Sequence, residues 1–412
     1  MSEELTSAEF HKRYPQMGTG PVSTDIYWKP DLYQREIESI FRPAWHYVGR
    51  VEQISESGSF IVKELETFGV SILVARGKTG KIRAFLNACV HRGNKLELQA
   101  RGKKSVFSCK FHGWSYGLDG GVTHIPDIDE GFPGVDCSKL SLKELDMEIW
   151  EGFIFVNIGG GSVQPLEDYL GEQGKDLVGY PFSDGTTMFK FSGEVQTNWK
   201  FLIDSFCESY HIHSLHKKSI DGPMAGPDNP FGRAVDIRIK GMHRTFATRG
   251  NRSWTPQPLQ ALAAKYSPGL SITGSGDTPI SMPKGVNESG SPDWAMDVNV
   301  FFPNVICTIG AGTYYVHQVW PLAPNKSRYE LTGYMLPATN AAQRFGQQHA
   351  ISEIRDVVLE DLNVLERVQK NMETGLIDQI YFHDHEIALR YQHYTVESKI
   401  NGSINEVMDL KE

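Results

Sequence analysis

The chain has 412 residues, 40% hydrophobic, 22% charged and 11% aromatic, which is ordinary soluble globular composition with room for two domains. A formal net charge of −9 without any long basic run argues against a protein that wraps nucleic acid. No apolar run approaches the ~18 residues needed to span a bilayer, and the N-terminus MSEELTSAEFHKRYPQMG lacks the apolar centre of a signal peptide, so a cytoplasmic location is expected.

The first readable element is a helical lead-in, YQREIESIF over 33–41, followed by strand-like text from FRPAWHYVGR onward. VSILVA at 70–75, a turn at Gly77-Lys-Thr-Gly80 and KIRAFL at 81–86 predict a hairpin that feeds Cys89-Val-His91-Arg-Gly93. A strand at 105–108 feeds Cys109-Lys-Phe-His112-Gly113-Trp, and Gly117-Leu-Asp-Gly-Gly121 predicts another hairpin turn. Two loops at strand ends thus each present one cysteine and one histidine. Borderline-soft metals take thiolate and imidazole together. A four-ligand zinc site would use the same donors, and the alternative without any metal is two unrelated turns. Gly93 and Gly113 would let backbone amides turn toward a sulfur-rich centre. The other cysteines, Cys137, Cys207 and Cys307, read as incidental or buried thiols, because an odd and sparse set is no disulfide framework.

Further on, NWKFLIDSFCESYHIHSLH at 198–216 reads as a buried helix through Trp199, Leu202, Ile203 and Phe206. Glu208 and His211, three apart, would share its face. His211 and His216 are five apart, roughly 140° around an ideal helix. They meet only if a π-type turn or a helix end lies between them; His213 with His216 is the alternative pair. Two histidines and a carboxylate make the facial triad of mononuclear iron oxygenases, while a zinc hydrolase or a polar helix end could use the same text. EIRDVVLEDLNVLERVQ at 353–369 predicts a long amphipathic helix carrying Asp356, Glu360 and Asp361, carboxylates that are ordinarily solvated. Strands are expected at 234–240, 297–302, 314–320 and 329–335. The Gly/Pro/Ser-rich tracts at 220–232 and 249–294 read as lids, pocket walls or mobile surface. No G-x-G-x-x-G dinucleotide fingerprint is present.

The spacing C-x-H, seventeen residues, C-x-x-H, flanked by His-Arg-Gly and Phe-His-Gly-Trp, resembles the Rieske motif. Asn94 and Lys110 stand in loops without the extra cysteines of respiratory Rieske proteins, so the oxygenase type is the nearer likeness. With Asn198-Trp-Lys…Glu208-x-Tyr-His211-x4-His216 following, nearly the whole chain resembles the large (α) subunit of Rieske non-haem iron oxygenases of the aromatic-ring-hydroxylating dioxygenase type. The resemblance implies an α+β protein. Residues 1–44 would be an N-terminal segment packing on the catalytic domain, 45–160 an all-β Rieske domain, and 161–412 a helix-grip catalytic domain with an antiparallel sheet and flanking helices. It implies a two-iron, two-sulfur cluster, with Cys89 and Cys109 on the inner iron and His91 and His112 on the outer. It also implies one mononuclear Fe(II) on His211, His216 and Asp361. His213 is then not a ligand, Asp361 takes precedence over its neighbour Glu360, and Asp356 stands further from the part.

Family members commonly carry Asp where this chain has Glu208. That residue bridges the first iron histidine to the second Rieske histidine of an adjacent subunit, so the resemblance implies that Glu208 is the catalytic electron bridge; the alternative is a partner fixing the tautomer of His211. The implied activity is O2-dependent hydroxylation, dihydroxylation or dealkylation of a small, most commonly aromatic, substrate. Electrons would come from NAD(P)H through a separate reductase, with or without a ferredoxin, and the assembly would be a homotrimer or trimer-based oligomer. A carnitine- or betaine-like quaternary-amine monooxygenase of the same family, and a non-catalytic Rieske electron carrier, are the alternatives. The pocket is expected to draw on Phe201, Phe206, Cys207, Met224, Phe301 and Cys307.

Overall fold

The computed structural model describes residues 9–161, 163–227, 229–266, 282–310 and 312–402. The chain forms two compact units: Arg42–Tyr169, and a second built from Met1–Phe41 together with Leu170–Glu412.

The inner unit is all β apart from short helical turns. Its strands are β1 (Trp45–Arg50), β2 (Ser59–Leu65), β3 (Val70–Arg76), β4 (Ile82–Leu86), β5 (Arg101–Lys103), β6 (Phe107–Ser108), β7 (Ser115–Tyr116), β8 (Val122–His124), β9 (Glu144–Trp150) and β10 (Phe153–Asn157). Seven of them form an antiparallel sheet in the order β1-β10-β9-β4-β3-β2-β5, and β6-β7-β8 form a small second sheet. The run VSILVAR makes β3 because β-branched side chains suit a pleated, covered surface, and five consecutive residues of it are buried. The predicted β3–β4 hairpin forms, closed by the Gly77 amide on the Lys81 carbonyl at 2.8 Å. Phe85, Leu96, Trp114, Tyr116, Ile125 and Leu142 form one apolar cluster with Cys89 and Cys109 inside it.

The second unit is mixed α and β. Its sheet holds β11 (Thr187–Val195), β12 (Asp236–Lys240), β13 (His243–Arg249), β14 (Trp294–Phe301), β15 (Val305–Ile309), β16 (Thr313–Ala323) and β17 (Lys326–Met335), in the antiparallel order β11-β17-β16-β15-β14-β13-β12. The helices used below are α1 (Pro30–Glu36), α2 (Trp199–Ser205), α3 (Ile212–Leu215), α4 (Pro258–Tyr266), α5 (Ala341–Met372) and α6 (Ile387–Asn401). The lead-in helix α1 runs on into a π-helical turn at Ile37–Phe41. Its Glu36 accepts from Trp199 Nε1 at 2.8 Å and from Lys200 Nζ at 2.6 Å, with both charged side chains fully buried. Phe10 donates its amide to Asp384, and the Tyr27 hydroxyl donates to Asp204 at 2.8 Å. The N-terminal segment is therefore tied to residues far along the chain.

Two expectations change. The 249–294 tract is not loop throughout, because Pro258 starts α4 and LQALAAKY is made largely of good helix formers; residues 267–281 of that tract lie outside the described residues. The 198–216 text is not one helix. α2 is capped by Asn198 and stops at Ser205, and α3 is a single turn. Among the described residues no helix is long and apolar enough to cross a membrane.

Candidate metal centres

The first centre grows from two loops with the same backbone plan. In the loop after β4 the Cys89 amide donates to the Asn94 carbonyl and the Gly93 amide to the Cys89 carbonyl, each at 2.8 Å. In the loop after β6 the Cys109 amide donates to the Trp114 carbonyl at 2.7 Å and the Gly113 amide to the Cys109 carbonyl at 2.9 Å. Both turns need a residue with positive φ, and Gly93 (74°) and Gly113 (77°) supply it. The glycine amides close the loops, and the turn after Cys109 brings neighbouring backbone amides toward its sulfur. These are the backbone N–H groups of Phe111 and His112, joined by the side-chain amide of Asn94. Burial works to raise the Cys109 thiol, but these donors bring it below its usual value, which favours the thiolate, the form of cysteine able to bind a metal. The Tyr116 hydroxyl lies 3.0 Å from the Cys89 sulfur.

Both cysteines are buried, while His91 and His112 stand half-buried at the rim with ring centroids 4.7 Å apart. Trp114 stacks on His91 at 4.9 Å, holding its plane. Desolvation and the neighbouring His91 and Arg92 push His112 below the ordinary imidazole value, keeping it neutral and able to ligate. Sulfur inside and imidazole outside is a donor set that fits a two-iron, two-sulfur cluster with unlike irons.

The second centre lies in the other unit. Glu208 sits in the loop after α2, not on a helical face shared with His211. Its carboxylate accepts the amides of Tyr210 and His211, the latter at 3.3 Å, as an N-cap residue would. α2 has ended at Ser205, and Glu208 ties down the amides that lead into the next turn. His211 and His216 therefore flank the one-turn helix α3, and their Nε2 atoms come within 3.1 Å of each other despite the five-residue spacing. Asp361 reaches the same point from α5, with Oδ1 at 3.1 Å from His216 Nε2 and 3.5 Å from His211 Nε2. Asp361 is only 4% exposed, not a solvated helix carboxylate.

The far nitrogens are held too. His211 Nδ1 bonds Glu208, and His216 Nδ1 bonds Glu360 at 2.6 Å, while Glu360 also accepts from the Ser219 hydroxyl at 2.7 Å. Burial opposes the charged form of both rings, yet Glu208 beside His211 and Asp361 beside His216 outweigh it and raise both pKa values. Each histidine thus shows its Nε2 to one point with its Nδ1 on a carboxylate, the pattern that orients imidazole for metal. His213 turns to Asp221 instead, at 3.0 Å, and Asp356 pairs with Arg355. The work of Glu360 and Ser219 was not read from sequence. An acidic residue beside the expected ligand was the available signal.

The three converging atoms open on a pocket of ≈ 950 Å³, its mouth included. Phe206 and Met224 line it as expected; Phe201, Cys207, Phe301 and Cys307 do not. Strand parity explains the misplacement: Met296, Val298, Thr308, Tyr315 and His317 face the pocket, so Phe301 and Cys307, an odd number of residues away on β14 and β15, face the other side. Phe201 stacks on Tyr27 at 3.7 Å, and Cys207 is fully buried. Among the described residues the lining holds no Lys or Arg; its charged members are Glu208, Glu353 and Asp361.

Residues 44–144 match the family described as "Rieske [2Fe-2S] domain", and residues 182–402 match "Ring hydroxylating alpha subunit (catalytic domain)". The chain is 29% identical over 211 residues to the anthranilate 1,2-dioxygenase large subunit of Acinetobacter baylyi, covering 49% of this chain and 44% of that one. It is 29% identical over 197 residues to the carnitine monooxygenase oxygenase subunit of Escherichia coli (47% and 52% covered), and 31% identical over 217 residues to choline monooxygenase of Spinacia oleracea (51% and 48%). The chain thus spans about half the length of the curated relatives it matches. In fold it is similar to a quaternary ammonium Rieske monooxygenase (TM-score 0.72, 20% identity, 93% of this chain and 96% of that one). It is likewise similar to naphthalene 1,2-dioxygenase from Rhodococcus (TM-score 0.70, 19% identity, 99% of each chain). A Rieske domain carries a two-iron, two-sulfur cluster and this catalytic domain a mononuclear iron, and the chain belongs to the ring-hydroxylating α-subunit family.

Proposed function

We propose that this protein is the oxygenase component of a multicomponent Rieske system that hydroxylates, dihydroxylates or dealkylates a small aromatic substrate. The observation that carries the reading is the convergence of His211 Nε2, His216 Nε2 and Asp361 Oδ1 on the wall of a largely apolar pocket, in a chain that also holds a Rieske domain. Cys89, Cys109, His91 and His112 would hold the cluster, and His211, His216 and Asp361 the iron. When bound, these groups supply one-electron storage and O2 activation.

The protein side chains do the positioning. Glu208 and Glu360 keep the Nδ1 atoms protonated, so that both Nε2 lone pairs face the same point. Three protein ligands leave coordination positions open toward the pocket, where apolar walls exclude water and seat the substrate. A lining that holds no Lys or Arg among the described residues favours a neutral substrate over an aryl acid. Glu208 is read as the electron bridge to a Rieske histidine of a neighbouring subunit, its side chain being 9% exposed beside the exposed Tyr210. The assembly is then a trimer or a multiple of one, fed in the cytoplasm by a separate NAD(P)H-dependent reductase, with or without a ferredoxin.

A quaternary-amine substrate is the second reading. Named carnitine and choline monooxygenases among the relatives, and the carboxylates of Glu208, Glu353 and Asp361 in a lining without Lys or Arg among the described residues, favour it. Iron and acid-labile sulfide per chain test the core of the proposal: about three irons and two sulfides are expected. Two irons would make the protein an electron carrier, and zinc without sulfide would end the oxygenase reading.

A further inference from the structure

The sheet wall of the pocket carries one imidazole that the metal centres do not use. His317 lies on β16, paired with Ile306 and Leu331, and is 3% exposed. Its Nδ1 is 2.7 Å from the hydroxyl of Tyr329 on β17. Tyr329 is itself buried, and among the described residues its hydroxyl has no other hydrogen-bond partner. If Nδ1 carried the proton, the buried O–H would be left without an acceptor, which is costly. Tyr329 therefore donates, Nδ1 accepts, and the ring hydrogen sits on Nε2. Among the described residues Nε2 has no partner either, and it is not sealed within the core, because His317 is part of the pocket wall. Phe206 fixes the pair in place. Its ring is 4.7 Å from His317 and stacks on Tyr329 at 5.8 Å. Burial pushes His317 down to about 3, so at working pH the ring is neutral and offers one N–H.

We propose that His317 is a specificity-determining hydrogen-bond donor of the pocket, and that the substrate carries a neutral oxygen acceptor, such as a carbonyl, ether or amide, on an apolar ring body. The rest of the wall supports that class. Met224, Met296, Val298 and Val357 seat a ring, and no cationic side chain in the described lining would pair a carboxylate. An N–H aimed into such a wall is costly to leave unmet and selects for the group that meets it. Tyr329 is then a positioning residue that sets the tautomer.

The inference rests on the pocket being the oxygenase's substrate site. Its test therefore reads ligand preference, while metal content reports separately on the oxygenase reading. The probes are 1-indanone and indane, alike in shape and differing by one carbonyl, titrated calorimetrically into the anaerobic, metal-loaded protein. The ratio of their dissociation constants should favour the ketone by about tenfold in the wild type. That preference should collapse in His317→Phe, survive largely in His317→Gln, which keeps an N–H, and weaken in Tyr329→Phe, which frees the tautomer. Where His317→Phe does not fold, the contrast between His317→Gln and Tyr329→Phe decides. An unchanged preference in His317→Phe, equal loss in His317→Gln, or no binding of either probe to the wild type would overturn the inference. Three irons and two sulfides in that same sample would leave the oxygenase reading standing.

Discussion

Removing the Glu360 carboxylate should loosen the mononuclear iron without touching His211, His216 or Asp361, the ligands proposed for it. Glu360 Oε2 holds His216 Nδ1 at 2.6 Å and the Ser219 hydroxyl at 2.7 Å, and His216 is 1% exposed. In Glu360→Ala the Nδ1 hydrogen loses its acceptor inside the protein. The ring can then relieve the loss by moving its proton to Nε2, which abolishes the lone pair pointed at the metal. Losing such an outer partner typically costs 10–100-fold in metal affinity, or about 1.4–2.8 kcal/mol. Glu360→Gln keeps an oxygen that can accept from Nδ1–H, so it should stay within about tenfold of wild type. The assay is Fe(II) titration of chelator-treated protein against a competing chromophoric chelator, with the visible spectrum of the cluster as internal control. Wild-type Fe(II) affinity in Glu360→Ala, or equal losses in Ala and Gln, would refute the tautomer argument.

The two centres should separate by mutation. His112→Ala should abolish the visible cluster spectrum and leave about one iron per chain, whereas Asp361→Ala should keep the spectrum and lose that iron. Glu208→Gln should retain both metals, since an amide oxygen can still accept from His211. Its cluster should reoxidise at least about tenfold more slowly in single-turnover mixing with O2, and an unchanged rate would sink the bridge. Glu36→Ala strands Lys200 in the core and should cost about 3–5 kcal/mol, read as a lowered urea midpoint. Burial raises Asp204 to about 7, so between pH 4 and 7 the folded chain keeps a proton that the unfolded chain has released. Stability then falls as pH rises through that window. Asp204→Asn should lack this fall, gaining on wild type by something on the order of 4 kcal/mol at most across thermal melts; a constant difference would count against it.

Strands were the legible part of this sequence. Val70–Arg76 and Thr313–Ala323 announce themselves by β-branched and aromatic content and by the turns that bound them. His211 and His216 were legible as a pair only on a condition: a helical period across 198–216 holds them roughly 140° apart unless a π-type turn or a helix end intervenes. The structure meets that condition with the single turn Ile212–Leu215 between them. The pocket list held for Phe206 and Met224 and missed on the strands, because apolar type alone does not give strand parity, so Cys307 was named where Thr308 faces inward. Glu360 and His317 were invisible for another reason: their roles depend on partners 144 and 12 residues away, His216 and Tyr329, which only tertiary structure supplies.

One feature of the chain path bears on how the protein is made. The unit Arg42–Tyr169 is inserted into its host: the segment up to Phe41 belongs with Leu170–Glu412. Glu36 must wait for Lys200, 164 residues later, and Phe10 for Asp384, 374 residues later. At synthesis rates of roughly 5–20 residues per second those waits are about 8–33 s and 20–75 s. The inserted unit has its own apolar cluster around both cysteines and depends on neither delay. The cysteines and histidines of the first centre are therefore synthesised, with the apolar cluster that packs around them, before Asp361 on α5 can join His211 and His216. Cofactor loading would follow that order, sulfur-bound iron before mononuclear iron.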